Sequence, residues 1–452
     1  MGCKGAAAGR FVACLIVCMS VLSGCHFGMG NPKEPKVWTG LENCVLLSFD
    51  NSFGGHQWVC SNGTDTYIYK GNGIYRAGED KNESICETSD VVLSMAADSN
   101  RIVYGTVDGA RASVASSIGV RRLSDAKTVF TSGGTEANNL AIMGSVYSKE
   151  RPVRGGSRGT VVISDGEHAS VEAASRRLEA DGFRVYRIPT KGGELDLEDL
   201  EKNAEGVIFA SVMKVNNETG AVYDTKSAFR IIKERSPGAV CHTDCVQAYM
   251  KMRISPLDLG ADMISLSAHK IFACKGAGAL YISGDVIKTK KIVPVTYGGH
   301  QEEGFRAGTE GMPAIAAFGA AAEVGREELP WRIARCAELG EYLERSLSNL
   351  DGVRLNLPAV RLPNILNITV PGIKSETLMS YLSGEGICVS KSSACSTRAK
   401  NLSAALLAFG LSEEDVDSSL RISLSHLNTE EEIDFFRDTL ARGVSTLAKI
   451  RR

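Results

Sequence analysis

The chain has 452 residues, enough to bury a large core and more than one small domain needs. Its 51 basic side chains nearly balance 53 acidic ones, so bulk charge asks for neither nucleic acid nor an anionic membrane surface. Forty-seven glycines, several at strand-to-helix turns, fit an α/β enzyme and not a disordered chain.

Residues 1–25 read as a leader. Lys4 and Arg10 give a basic start, and an uncharged apolar run covers 11–22. Leu22-Ser23-Gly24-Cys25 then resembles the lipobox of bacterial lipoproteins, in which the cysteine is acylated. The run is short for a membrane span, which favours a processed signal. A mis-assigned start is the other reading. The thirteen cysteines include Cys3, Cys14, Cys18 and Cys25 in this leader, and the rest form no Cys-x-x-Cys pair. Neither a disulfide scaffold nor a zinc site is expected, and most of the others read as small buried hydrophobes.

Residues 31–100 are irregular, with short β-like pieces such as Thr66-Tyr67-Ile68-Tyr69. From Ala110 the pattern changes to a helix over 111–123 and a strand over 127–130. Further strands are predicted over 160–164, 184–188, 206–212, 239–243, 262–267 and 278–282, with helices over 168–181, 197–203 and 226–234. That alternation makes a mostly parallel seven-stranded sheet covered on both faces. Functional groups gather at the carboxyl ends of such strands. A long charged helix after Pro330, a Pro-rich loop near 357–363 and short β and α pieces read as a smaller α+β unit. The chain thus divides into a leader (1–25), an N-terminal region (26–109), a large domain (110–325) and a small C-terminal domain (326–452).

The strand ends carry the chemistry. Thr131-Ser132-Gly133-Gly134-Thr135 is a turn into a helix start, where close backbone and free N–H groups suit a phosphate. Ser164-Asp165-Gly166-Glu167-His168 puts an imidazole after the next strand, and Val215-Asn216-Asn217-Glu218-Thr219-Gly220 supplies amides after another. His242-Thr243-Asp244-Cys245-Val246-Gln247 ends a strand with a carboxylate that can hold a ring nitrogen protonated. Ser265-Leu266-Ser267-Ala268-His269-Lys270 places a lysine past an apolar strand, where lowered proton affinity lets it condense with an aldehyde. Each segment alone is more often a loop, a cap or a turn. Together they assemble a phosphate cup, a stacking imidazole, a pyridinium partner and a Schiff-base lysine, which is what pyridoxal 5'-phosphate (PLP) requires.

These segments, with Gly298-Gly299-His300-Gln301-Glu302-Glu303-Gly304-Phe305-Arg306-Ala307-Gly308-Thr309, Pro363-Asn364-Ile365-Leu366-Asn367 and Ser418-Ser419-Leu420-Arg421-Ile422-Ser423-Leu424, resemble cysteine desulfurases of the class V aminotransferase group. The resemblance implies a fold type I PLP-dependent transferase, and it runs in register over 110–447. By the resemblance, Lys270 forms the Schiff base and moves the α-proton, Asp244 pairs with the pyridine nitrogen, and His168 stacks on the ring as an acid or base. Gln247 and Asn217 reach the ring hydroxyl or the substrate carboxylate. Gly134, Thr135, Ser267 and His269 hold the phosphate, while Thr309 reaches the neighbouring subunit's phosphate in a homodimer. Arg421 clamps the carboxylate of L-cysteine. Ser393-Ala394-Cys395 matches the loop whose Cys395 thiolate takes sulfur as a persulfide, releasing L-alanine. The sulfur then passes to an acceptor protein, such as an iron–sulfur scaffold or a tRNA-thiolation enzyme. No resident metal and no direct nucleic-acid contact are implied, only a transient iron–sulfur contact at Cys395.

The family's opening Asp-Asn-Ala-Ala-Thr-Thr becomes Phe49-Asp50-Asn51-Ser52-Phe53-Gly54-Gly55, and Asp98-Ser99-Asn100-Arg101 replaces an Asn-Pro-Ser-Ser segment. His300 stands where a third glycine is usual, and Lys391-Ser392 replaces a more glycine-like loop. The first two departures bear on substrate fit. Selenocysteine lyase or another class V lyase uses the same residues, and a non-catalytic PLP-fold scaffold stays open as an alternative. The chemistry implies a cytoplasmic protein, and the leader implies a membrane-anchored lipoprotein if it is real.

Overall fold

The computed structural model describes residues 106–120, 122–148, 158–391 and 402–450, together with strand backbones between 45 and 105. Strands β1 (Val45–Leu47), β2 (Trp58–Ser61), β3 (Thr66–Lys70), β4 (Gly73–Arg76) and β5 (Glu83–Glu87) pair antiparallel in chain order. A hairpin of β6 (Val92–Ala97) and β7 (Ile102–Thr106) follows. The region read as irregular is therefore a β meander, and β3 contains the predicted piece. Its strands are only three to six residues long, too short for alternation to stand out in a longer window.

Helix α1 spans Val107–Ser117, earlier than the predicted 111–123. Thr106 sets its start, because the hydroxyl accepts the Gly109 N–H at 3.0 Å. Gly119, at φ 77°, ends it, and Leu123–Asp125 forms only a 3-10 turn.

The large sheet consists of β8 (Ala126–Thr131), β9 (Thr160–Ser164), β10 (Arg184–Ile188), β11 (Val207–Ser211), β12 (Val240–Asp244), β13 (Met263–Ser267) and β14 (Gly278–Ser283). Their order is β10-β9-β11-β12-β13-β14-β8. β14 runs antiparallel to both neighbours, and the other pairings are parallel. Helices α2 (Gly134–Val146), α3 (Ala169–Ala180), α4 (Leu197–Asn203) and α5 (Thr225–Arg235) connect strands of this sheet. β9, β12 and β13 are buried at every position, as strands covered on both faces must be. Alternation sorts the two cores: Val162 joins Phe229, Leu266 and Phe318 on one face, while Val161 and Ile163 join Ile142 and Leu280 on the other.

Helix α6 (Met312–Ser348) begins well before Pro330, which lies inside it, so the expected start after Pro330 is revised. A proline there removes one N–H bond, and the rest of the helix continues on either side. The boundary drawn at 325/326 falls within this helix. Beyond it, β15 (Arg354–Asn356), β16 (Ile365–Thr369), β17 (Ser390–Lys391) and β18 (Ser419–Ser423) form an antiparallel sheet in the order β15-β16-β18-β17. Helices α7 (Ser375–Gly384), α8 (Ala404–Phe409) and α9 (Glu430–Ile450) accompany it, with Leu343, Ile368, Leu378, Leu420 and Leu440 in its core.

Cys241 and Cys245 are the buried thiols expected, whereas Cys388 is exposed and Cys274 is disulfide-bonded. Among the described residues no helix is long and apolar enough to cross a membrane. The leader, with Cys25, lies outside the described residues, as do 49–55 and 98–101.

Candidate active site

Ser164, Asp244 and Ser267 end parallel strands at one edge of the large sheet. β14 sets Ser267 opposite Gly278 and Gly278 opposite Thr131, which brings the start of α2 beside the lysine turn. The approach is close: a Cβ on Gly278 would lie 2.6 Å from the Gly133 carbonyl carbon, and one on Gly134 would lie 2.7 Å from Val246 Cγ2. Gly134 and Thr135 open α2, where N–H groups have no partner within the helix.

One hydrogen-bonded chain links two of the predicted groups. Asp244 is buried; its Oδ1 accepts the Val246 N–H at 2.8 Å and its Oδ2 accepts Asn138 Nδ2 at 2.7 Å. Asn138 Nδ2 also donates to Ser170 Oγ at 2.9 Å. That hydroxyl lies 2.8 Å from His168 Nδ1, which also accepts the Ser170 N–H as the cap of α3. With Nδ1 used as an acceptor, Nε2 carries the proton of the neutral ring.

Lys270 stands on the 3-10 turn Ala268–Ile271 directly after β13. Burial, then the Arg421 charge, lowers its proton affinity. Ser267 Oγ meets His269 Nδ1 at 2.8 Å, and Gln247 Oε1 accepts Lys251 Nζ at 2.8 Å.

Asn217 projects from a turn stiffened by its neighbour, since Asn216 Oδ1 accepts the N–H groups of Glu218 and Thr219, each at 2.9 Å. The Asn217 carbonyl accepts Arg421 Nη1 at 2.9 Å, which ties β18 to the large-sheet edge. Arg421 Nη2 reaches Ser390 Oγ at 3.3 Å, while its buried Nε has no partner among the described residues. Burial lowers the proton affinity of Arg421, against the distant pull of Glu218. A half-buried guanidinium that, among the described residues, bonds a carbonyl and a hydroxyl is suited to an incoming carboxylate.

Thr309 is exposed and stands apart from this cluster. The segment before it is docked by ion pairs that sequence reasoning missed: Glu302 with Arg111 at 2.7 Å and Arg306 with Glu136 at 2.8 Å. Glu302 and Glu303 adopt left-handed φ values of 48° and 55°. Also missed were Asn138 and Glu167. The Glu167 Oε1 accepts Ser164 Oγ at 2.7 Å and the Met213 N–H at 2.6 Å, leaving the buried Oε2 unpartnered, and burial pushes this carboxyl up to about 8. Cys395 lies outside the described residues, between β17 and α8.

The sequence matches the family described as Aminotransferase class-V over residues 87–436. It is 37% identical over 321 residues to a cysteine desulfurase IscS of Clostridium botulinum, covering 69% of this chain and 78% of that protein. A cysteine desulfurase IscS of Dictyoglomus turgidum is 34% identical over 348 residues, covering 76% and 85%. Among solved structures, a NifS-like protein superposes with a TM-score of 0.67 at 33% identity, over 75% of this chain and 87% of that one. A NifS-like protein from Rickettsia africae gives 0.65 at 29% identity, over 75% and 88%. The seven-stranded sheet with its smaller companion is the architecture these relatives share, and the chain belongs to the class V aminotransferase family.

Proposed function

We propose that this chain is a PLP-dependent cysteine desulfurase that converts L-cysteine to L-alanine and carries the sulfur as a persulfide on Cys395. One observation carries the reading: burial and then the charge of Arg421 lower the proton affinity of Lys270, and the Arg421 Nε has no partner among the described residues. A lysine so placed gives up its proton more readily and so becomes a better nucleophile, and the guanidinium gives an amino-acid carboxylate its anchor.

The residues present fit the cofactor. The Gly133-Gly134 turn admits a phosphate close to backbone N–H groups, and Ser267 and His269 stand beside it. Asp244, fixed by two donors, offers a carboxylate to a ring N–H. Bound there, PLP supplies an electron sink for the bonds at the substrate α-carbon.

The protein groups then divide the work. Lys270 anchors the cofactor and moves the α-proton. Asp244 would keep the ring nitrogen protonated, and His168 would stack on the ring with Nε2–H available to donate. Gln247 and Asn217 offer amides to the ring oxygen or the substrate, and Arg421 takes the carboxylate. Gly134 and Thr135 hold the phosphate, while Thr309 serves the phosphate of a second copy in a homodimer. The Cys395 thiolate attacks the substrate sulfur: the S–S bond forms and the C–S bond breaks. Its electron pair stays with the carbon, which takes a proton and leaves as L-alanine. The persulfide sulfur passes to an acceptor protein for iron–sulfur cluster assembly or tRNA thiolation. A reducing cytoplasm suits that transfer.

The test is to load the protein with PLP, give it L-cysteine and a reductant, and quantify alanine and sulfide. Equal amounts, abolished by Lys270→Ala and by Cys395→Ser, are expected. A cofactor spectrum with no alanine from the wild type would overturn the reading.

A further inference from the structure

Lys251 has no part in the reaction just described, yet it stands in the same pocket. It follows β12 in a tight turn, where the Tyr249 N–H bonds Cys245 O at 2.8 Å and Met250 takes a φ of 56°. Its Nζ donates to Gln247 Oε1 at 2.8 Å. The lysine ammonium has only donors, so the amide atom facing it is the oxygen, and the N–H2 of Gln247 becomes the free edge. Lys251 and Lys270 line one small cavity, together with Cys336 of α6 and Asn364.

We propose that Lys251 is a positioning residue for the cofactor pocket, locking the Gln247 amide so that its N–H2 edge, and not its oxygen, is offered to the cofactor's ring oxygen. An ionised ring oxygen only accepts, so the locked orientation attracts it and the flipped one repels it. This rests on the PLP reading and extends it to a residue that acts through Gln247.

Surrounding charges tune the lock. Burial, then Lys270 and Arg421, push Lys251 down to about 7, with Cys336 acting in the opposite direction. His269 in turn feels Lys251. Both the ammonium and the amine donate to Gln247, the ammonium more strongly. The contact is therefore firmest in acid and loosens as pH rises through about 7.

The experiment titrates the visible absorption of the holoenzyme against pH and measures cofactor retention. The proteins are wild type, Lys251→Met, Lys251→Arg, Gln247→Ala and the Gln247→Ala/Lys251→Met double variant. Lys251→Met should shift the spectral midpoint and loosen the cofactor about tenfold, the loss of one charge-assisted hydrogen bond. Lys251→Arg should restore most of both, and the double variant should be no worse than Gln247→Ala alone. A wild-type profile from Lys251→Met, with Gln247→Ala altered, overturns the role of Lys251 and leaves the PLP reading standing. Additive losses in the double variant also overturn it. No cofactor spectrum from the wild type overturns the PLP reading and this role together. If Lys251→Met does not fold, Lys251→Gln replaces it. That variant offers Gln247 an acceptor as readily as a donor, so it must shift the midpoint too, and an unshifted profile overturns the role.

Discussion

Asn138 Nδ2 lies 2.7 Å from Asp244 Oδ2, joining the first turns of α2 to the end of β12 across 106 residues. The same nitrogen holds Ser170, whose hydroxyl meets His168. One amide therefore sets both the carboxylate and the imidazole proposed to face the cofactor ring. Among the described residues the Asn138 Oδ1 has no partner, so the contacts given for this amide are made through its nitrogen.

Asn138→Leu, close in volume, should leave Asp244 Oδ2 without that donor in a buried setting. A loss of about 1–3 kcal/mol in stability is expected. The Asp244 carboxylate should also lose its fixed orientation, and so hold a ring N–H less firmly. Urea unfolding of the apo-protein and cofactor retention check the two parts, and unchanged values in both would remove Asn138 from the site.

Arg421→Lys keeps the charge and loses the fork. A lysine cannot hold the Asn217 carbonyl and Ser390 while taking a carboxylate through two parallel bonds. KM for L-cysteine should rise at least roughly tenfold with the cofactor spectrum unchanged. An unchanged KM would place the substrate carboxylate elsewhere.

Glu302 is 1% exposed and pairs with Arg111 through both oxygens, at 2.7 and 3.0 Å. It also accepts the Phe130 N–H at 2.9 Å, which fastens the segment before Thr309 onto β8. Glu302→Gln should cost roughly 3 kcal/mol, because a guanidinium is left without its carboxylate. It should also loosen cofactor binding, by freeing the segment that carries Thr309. Denaturant melts and equilibrium dialysis measure these in turn.

Glu167 carries a pH signature. Its folded value of about 8 lies above the ordinary 4.5, so the folded state binds the extra proton between these values. The stability this provides is complete below about 4.5 and is lost as pH rises towards 8. Glu167→Gln imitates the protonated acid, with its N–H2 in place of the unpartnered Oε2. The variant should match the wild type in acid and surpass it in stability above pH 8. Unfolding curves at several pH values decide, and parallel profiles would refute it.

Much of the large sheet is legible in the sequence because its strands are short segments rich in β-branched and apolar residues, set between helical segments. The predicted 160–164, 184–188 and 197–203 coincide with β9, β10 and α4. The lysine, aspartate and histidine were also legible, each standing just past such a segment. Their connections were not. The Asn138–Asp244 bond depends on strand order, above all on β14 being inserted between β13 and β8. Glu302 and Glu303 are adjacent acids in the sequence, and only the backbone path turns one of them inward. Lys251 drew no reading from the sequence, and it is the turn at Met250 that carries it to Gln247. Proline punctuation misled in the opposite direction at Pro330, where the helix simply continues.

That helix, α6, has 37 residues and reaches roughly 55 Å. Its first half puts Ile315, Phe318 and Ala322 into the core beneath the large sheet, and its second half puts Leu339, Leu343 and Leu347 into the core of the small one. Neither core is complete without it, so melting either would fray a rod the other needs. The two sheets should therefore denature in one cooperative transition, and a protease should find no stable half-molecule to leave behind.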